Sequence, residues 1–217
     1  MDSVIRIWSI GYENSKMTLK LRSELRGHNK EINSIALSKD DNFIASSSAD
    51  RTLKIFNPNS KECIHSINLL IPPMEIACEI KAIEFSSNYL YTLENSGKQA
   101  YVSKWQLKKE LIHMDTRKVT DCQGTTFSVT NELIGIGTCN GDVIILNDKM
   151  RVIKENKKVH YLPVTSICKV HLRNLMMSVS FDSKCIINEI EWQNKYTFIF
   201  GCSILLFTLI FIYFLSL

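Results

Sequence analysis

Residues 27–57 read GHNKEINSIALSKDDNFIASSSADRTLKIFN, and this stretch decides the fold. Ile32, Ile35 and Leu37 run into a polar break at 38–42, after which Phe43, Ile44 and Ala45 resume the apolar pattern. A second break at Ala49, Asp50 and Arg51 turns the chain into residues 52–56. Short runs of this kind, bounded by Asp, Asn and Ser, read as strands joined by tight turns. No uninterrupted helical periodicity appears before Thr197.

The end of the stretch recurs along the chain. A polar turn residue, a few strand residues and a closing residue six positions on appear at Asp2 to Trp8, Asp50 to Phe56 and Asn140 to Leu146, and more weakly at Asp182 to Asn188. Trp105 closes a further strand, so the closing positions 8, 56, 105, 146 and 188 lie 48, 49, 41 and 42 apart. A strand-rich period of about 40–50 residues predicts propeller blades. Gly135, Gly137 and Gly141 are expected at a tight turn of the fourth unit. In the third unit, the apolar stretch around Pro72 and Pro73 reads as a loop over a blade edge, or as a partner-binding loop.

Gly27-His28, then Ser46 and Asp50, then Phe56-Asn57, resembles the WD repeat with its Gly-His and Trp-Asp ends. The resemblance implies a hydrogen-bonded chain of His, Ser or Thr, Asp and the Trp indole that pins the strands of one blade. His28, Ser46 and Asp50 take those places here, whereas Phe56 has no N–H to give. The fifth unit repeats part of the pattern with His160, Ser178 and Asp182. These are expected to be structural blade residues, with His160 also a candidate partner contact. The fold expected is all-β: an incomplete WD-repeat β-propeller of about four to five blades over residues 1–192, a linker at 193–196, and one transmembrane helix.

That helix is expected at residues 197–217, TFIFGCSILLFTLIFIYFLSL, which carry no charged residue. At ~1.5 Å per residue a helix of this length reaches roughly 30 Å, the thickness of a bilayer's hydrocarbon. Trp192 and Tyr196 precede it as membrane-interface aromatics, and Lys184 and Lys195 lie on its near side. The start, MDSVIRIWSI, lacks a basic region followed by an apolar run, so no secretory signal is expected and the propeller should face the cytosol.

A net charge of +4, with basic and acidic residues interleaved, argues against a nucleic-acid surface. The basic stretch 151–158 is expected to be a solvated loop, with a place against anionic lipid or an acidic partner as the alternative. Seven Cys without a C-x-x-C pair read as free thiols in a reducing compartment, with no metal site. There is no G-x-S-x-G, P-loop or H-E-x-x-H, so a bond-making or bond-breaking enzyme is not expected.

From residue 133 onward the order of features is more specific. Residues 133–138 (LIGIGT), Gly141 to Val143, residues 159–165 (VHYLPVT) and residues 178–185 (SVSFDSKC) lead into the apolar tail. This order resembles the C-terminal half of the prolactin regulatory element-binding family, the membrane-bound exchange factors that start COPII coat assembly at the endoplasmic reticulum. The resemblance implies an endoplasmic reticulum membrane protein that engages a Sar-type small GTPase and releases its GDP, with the lipid bilayer as second partner. It brings no cofactor, because the family's potassium-binding loop has no counterpart here, and no exchange residue is carried over. The alternative is a non-catalytic, tail-anchored WD-repeat scaffold that holds a protein partner at a membrane.

Overall fold

The computed structural model describes residues 3–13, 15–68, 70–71, 76–87, 89–130, 133–170 and 175–189. The expected anchor, its linker, and Trp192 and Tyr196 lie outside the described residues. Within them every regular element is a strand, and no helix is long and apolar enough to cross a membrane.

The chain opens with a hairpin, β1 (Ile5–Glu13) and β2 (Lys16–Leu25). A four-stranded sheet follows, β3 (Ile32–Leu37), β4 (Ile44–Ser48), β5 (Thr52–Phe56) and β6 (Cys63–Asn68), each strand pairing with the next. A short hairpin, β7 (Leu70–Ile71) and β8 (Ile76–Ala77), marks the Pro-containing excursion. The next sheet is β9 (Glu79–Ser86), β10 (Tyr89–Ser96), β11 (Gln99–Leu107) and β12 (Leu111–Thr120). The fourth unit is β13 (Gly124–Val129), β14 (Leu133–Thr138), β15 (Val143–Asn147) and β16 (Val152–Asn156). A three-stranded sheet, β17 (Val164–Val170), β18 (Leu175–Ser180) and β19 (Cys185–Glu189), ends the described chain. Every pairing is antiparallel and sequential, so each sheet is a meander of local hairpins, the build of a propeller blade.

One irregularity repeats at the closing residues. The register shifts at Ile7/Trp8, Ile55/Phe56, Lys104/Trp105 and Ile145/Leu146, each time where the third strand of a unit meets its fourth. A bulge at a fixed place bends and twists each strand pair alike. It also identifies β1 and β2 as the outer half of a first blade, with Trp8 where Phe56, Trp105 and Leu146 stand in the others.

Apolar side chains fill the spaces between consecutive sheets. Ile5 and Leu25 pack with Ile44 and Phe56; Ala45, Leu53 and Ile55 pack with Ile80, Leu90 and Trp105. Leu93 and Val102 meet Ile134, Ile136 and Leu146, and Leu133, Val143 and Ile145 meet Val164, Ile167 and Met176. Each fully buried Leu, Ile or Phe contributes about 1.5–3 kcal/mol of transfer free energy, so the stack is held by its inter-sheet layers.

Two expectations are corrected. The basic stretch 151–158 is not a loop: residues 152–156 form β16, whose backbone pairs with β15 while Val152 and Ile153 stay exposed at the outer edge. Gly135 and Gly137 are not turn residues but lie inside β14, where a Cβ on Gly137 would stand 2.6 Å from Val164 and from Thr126. The glycines let the last blade approach. Only Gly141 turns the chain, at φ +82°.

Candidate functional site

The residues with the strongest chemical signal come together in hydrogen-bonded networks, one in each of three blades. In the second blade, Asp50 sits in the tight turn between β4 and β5 and accepts from the backbone N–H groups of Asn29 (2.8 Å) and Thr52 (2.9 Å) and from the Thr52 hydroxyl (2.6 Å). His28 Nδ1 lies 3.2 Å from Asp50 Oδ2, and its Nε2 lies 2.7 Å from Ser46 Oγ. Burial disfavours the Asp50 carboxylate, yet these donors outweigh it and hold its pKa well below the usual carboxylate range. Burial also lowers the pKa of His28, against the pull of Asp50. A neutral imidazole that gives Nδ1–H to Asp50 leaves Nε2 to accept the Ser46 hydroxyl. Phe56 adds only an edge contact to the His28 ring, with centroids 6.4 Å apart.

The last blade repeats the arrangement. His160 Nδ1 lies 3.1 Å from Asp182 Oδ1, and Nε2 lies 3.0 Å from Ser178 Oγ. The backbones of Tyr161 and Lys184 donate to Asp182, and these bonds, with His160, lower its pKa against the effect of burial. Here the closing residue does supply a donor: Asn188 Nδ2 gives to Ser178 Oγ at 3.2 Å and is itself held by Asn156. An amide N–H stands where the resemblance led one to expect an indole N–H.

The third blade uses other residues in the same places. The Trp105 indole donates to Thr92 Oγ1 at 2.9 Å, and Thr92 donates to Glu94 Oε1. Glu94 Oε2 lies 2.7 Å from Ser103 Oγ, and Ser103 and His113 meet at Thr116, each 2.7 Å from its hydroxyl. Glu94 is fully buried, and desolvation pushes its pKa up to about 7 despite its two hydroxyl partners. Sequence reasoning missed this network. Its signal was Trp105 itself, the one indole at an interior closing position.

Both ring nitrogens of His28 and His160 are engaged with buried partners, so neither ring is placed to move a proton on a bound substrate. Among the described residues, no group of three or more His, Cys, Asp or Glu is placed to hold a metal ion. The six cysteines from Cys63 to Cys185 are free thiols.

What the last blade presents to solvent is aromatic. His160 is only 1% exposed, but Tyr161 beside it is 81% exposed, and Phe181, which precedes Asp182, is 75% exposed. Lys184 Nζ stands 4.4 Å from the centre of the Tyr161 ring. The buried His160–Asp182 pair thus fixes the backbone from which both rings project. Tyr161 also lines a cleft of about 780 Å³ shared with Asp121, Cys122, Asp142, Glu155 and Lys158.

Comparison with known proteins agrees with this geometry. The family model "WD domain, G-beta repeat" matches residues 19–57. The Zinc finger CCCH domain-containing protein 62 of Arabidopsis thaliana is 45% identical over 51 residues, 24% of this chain and 12% of that protein. The Cell division cycle protein cdt2 of Schizosaccharomyces pombe is 27% identical over 88 residues, 41% of this chain and 18% of that protein. The chain therefore spans less than a fifth of either relative. Among solved structures, the computationally designed Ika4 protein superposes with a TM-score of 0.61 at 18% identity, over 77% of this chain and 96% of its own. The designed Ika8 protein gives 0.62 at 16% identity, over 88% of this chain and 56% of its own. The RRP9 WD40 repeats give 0.63 at 15% identity, over 76% of this chain and 53% of their own. This chain carries a WD repeat at residues 19–57 within an all-β, WD-repeat propeller-like fold of several blades.

Proposed function

We propose that this chain is a protein-binding platform at a membrane surface, and that its partner is a Sar-type small GTPase whose nucleotide exchange it promotes at the endoplasmic reticulum. The observation that supports a binding platform is the exposure of Tyr161 and Phe181, carried on two turns that the buried His160–Asp182 network ties together. Aromatic side chains on a rigid backbone are the usual anchors of a protein interface, because little conformational freedom is lost when they are covered. The choice of partner rests on sequence: the features from residue 133 to the apolar tail 197–217 follow the order of the exchange-factor family.

Exchange in this reading needs no bond-breaking residue. A factor that binds the nucleotide-free GTPase better than the loaded one shifts the equilibrium toward release, and membrane attachment raises its concentration where the loaded GTPase acts. The test is GDP release from a Sar-type GTPase in potassium buffer, with and without the full chain in a lipid nanodisc. Acceleration that Tyr161→Ala with Phe181→Ala weakens by about tenfold is the expected result. GTPase binding without acceleration would assign the chain to the scaffold alternative, and no binding at all would remove the GTPase as partner.

A further inference from the structure

In the third blade three hydrogen-bond contacts link a buried carboxyl to an imidazole. Glu94 Oε2 lies 2.7 Å from Ser103 Oγ, Ser103 Oγ lies 2.7 Å from Thr116 Oγ1, and Thr116 Oγ1 lies 2.7 Å from His113 Nε2. Each contact needs one hydrogen between its heavy atoms, and the two hydroxyls bring only two. The third must come from one end, as a Glu94 carboxyl proton or as His113 Nε2–H. With neither, one contact would oppose two lone pairs; with both, one contact would hold two hydrogens. The chain therefore carries one proton beyond those of its hydroxyls.

The other carboxyl oxygen fixes where that proton can sit. The Trp105 indole can only donate, so it gives to Thr92, and the Thr92 hydroxyl is left to give to Glu94 Oε1. A proton on Glu94 must then lie on Oε2, facing Ser103. At the far end, His113 stands where the register of β12 shifts: it pairs with Trp105 while Asp115 pairs with Lys104, so Met114 is the extra residue of a bulge. The His113 ring also makes a hydrogen bond to the Asp115 backbone. Thr116 occupies Nε2, so this bond falls to Nδ1 and spans the bulge.

We propose that Glu94, Ser103, Thr116 and His113 form a proton wire, through which ionisation of the buried carboxyl is exchanged for a change of tautomer at the outer strand. With Glu94 protonated, every hydrogen points outward: Glu94 gives to Ser103, Ser103 to Thr116 and Thr116 to Nε2, and the ring carries its own proton on Nδ1. As pH rises, the Nδ1 proton leaves to water. The Glu94 proton passes to Ser103, Ser103 passes its own to Thr116, and Thr116 passes its own to Nε2. Glu94 is then an anion, the hydroxyls point inward, and no side chain has left the core. The bond from Nδ1–H to the Asp115 backbone is lost with the proton, so the bulge at the half-exposed Met114 is fastened in acid and released in base.

The surroundings favour the neutral pair on the acid side. Burial pushes Glu94 up to about 7, and burial lowers His113 against the pull of the Asp115 carboxylate and backbone. Near Glu94 stand Cys78, whose thiol is pushed up to about 12 by burial and by the Glu94 charge, and Arg51 of the β4–β5 turn. Tyr101, cross-strand from Glu94, gives its hydroxyl to Gln99. Beside His113, the Asp115 carboxylate is paired with Arg117 at 3.1 Å, and the Trp105 ring lies edge-on at 4.9 Å. This inference does not depend on which partner the chain binds.

The test uses the full chain in a lipid nanodisc, with isotopically labelled His and Glu, and reads the ring nitrogens by nuclear magnetic resonance. His113→Gln assigns the signal. The parent should pass from Nδ1–H to Nε2–H as pH rises through about 7, with an excess of about tenfold for one tautomer a pH unit to either side. Glu94→Gln presents an amide N–H to Ser103 and mimics the protonated acid, so His113 should stay Nδ1–H throughout. Thr116→Val cuts the wire close to the surface, and the His113 tautomer should no longer follow Glu94, whose carboxyl carbon shift reports its own titration. A ring that keeps one tautomer across the range would overturn the proposal. So would direct passage to imidazolium with Glu94 ionised throughout, or a switch that both variants leave in place.

Discussion

Ser46 and Ser47 are neighbours in β4, both fully buried, and they have opposite roles. Ser46 gives its hydroxyl to His28, whereas Ser47 Oγ has no hydrogen-bond partner among the described residues. A buried hydroxyl without a partner carries its desolvation penalty uncompensated, so Ser47→Ala should be neutral or stabilising by up to about 1 kcal/mol. Ser46→Ala should cost about 1–2 kcal/mol, because the His28 ring loses its partner. Asp50→Ala should cost about 3 kcal/mol, since it strands three donors besides His28. Urea unfolding of the three variants checks the order: an Asp50→Ala midpoint equal to that of the parent would remove the network from the account. His28, Ser46 and Asp50 were legible in the sequence because they match the His, Ser and Asp places of the WD repeat it resembles. Asn188 was not legible as a donor, because an amide replaces the expected indole. Nor was Thr92, because it precedes its closing residue by 13 positions where Ser178 precedes Asn188 by 10.

At the scale of an element, the turn between β14 and β15 shows how closely two blades meet. A Cβ on Gly141 would lie 2.0 Å from the His160 carbonyl oxygen, a backbone atom that cannot step aside, and the residue's positive φ adds strain. Gly141→Ala should therefore cost more than about 3 kcal/mol and release the loop that carries His160 and Tyr161. Its thermal unfolding would show this, and a Tm within 2 °C of the parent, on the order of 1 kcal/mol or less, would contradict the contact. The sheet β9–β12 makes a different prediction through Glu94. Its proton is held more tightly in the fold, with a pKa near 7, than in the unfolded chain, where it is near 4.5. That contribution to stability is complete below pH 4.5 and is lost as pH rises through about 7. Glu94→Gln keeps the group neutral, so its Tm minus that of the parent should grow from pH 5 to pH 8, by several degrees if roughly 2–3 kcal/mol is at stake. A difference independent of pH would mean that Glu94 stays ionised. The strand content of these units was legible from alternation. The role of Gly135 and Gly137 was not, because a glycine needed for a neighbouring blade's approach looks the same in sequence as one needed for a turn.

Across the molecule, the spacing of the closing residues was the most informative feature, since one period implied one repeated unit. It could not reveal that the outermost strand β16 would form from the basic stretch 151–158, because an outer strand buries little and leaves a faint alternation. The stacking of sheets in chain order has a further consequence. Each sheet shares apolar layers with its sequence neighbours, so stability is a chain of nearest-neighbour couplings rather than a property of one shared core. Amide exchange should then be slowest in β10, β11, β14 and β15, whose sheets are clasped on both sides, and should quicken toward β2 and β19. Pulse labelling followed by mass spectrometry would read this as a gradient; uniform protection from end to end would mean a single all-or-none unit. A stack coupled this way opens sheet by sheet, as cards are dealt, and the cohesion between cards, more than the strength of any one, sets how long it lasts.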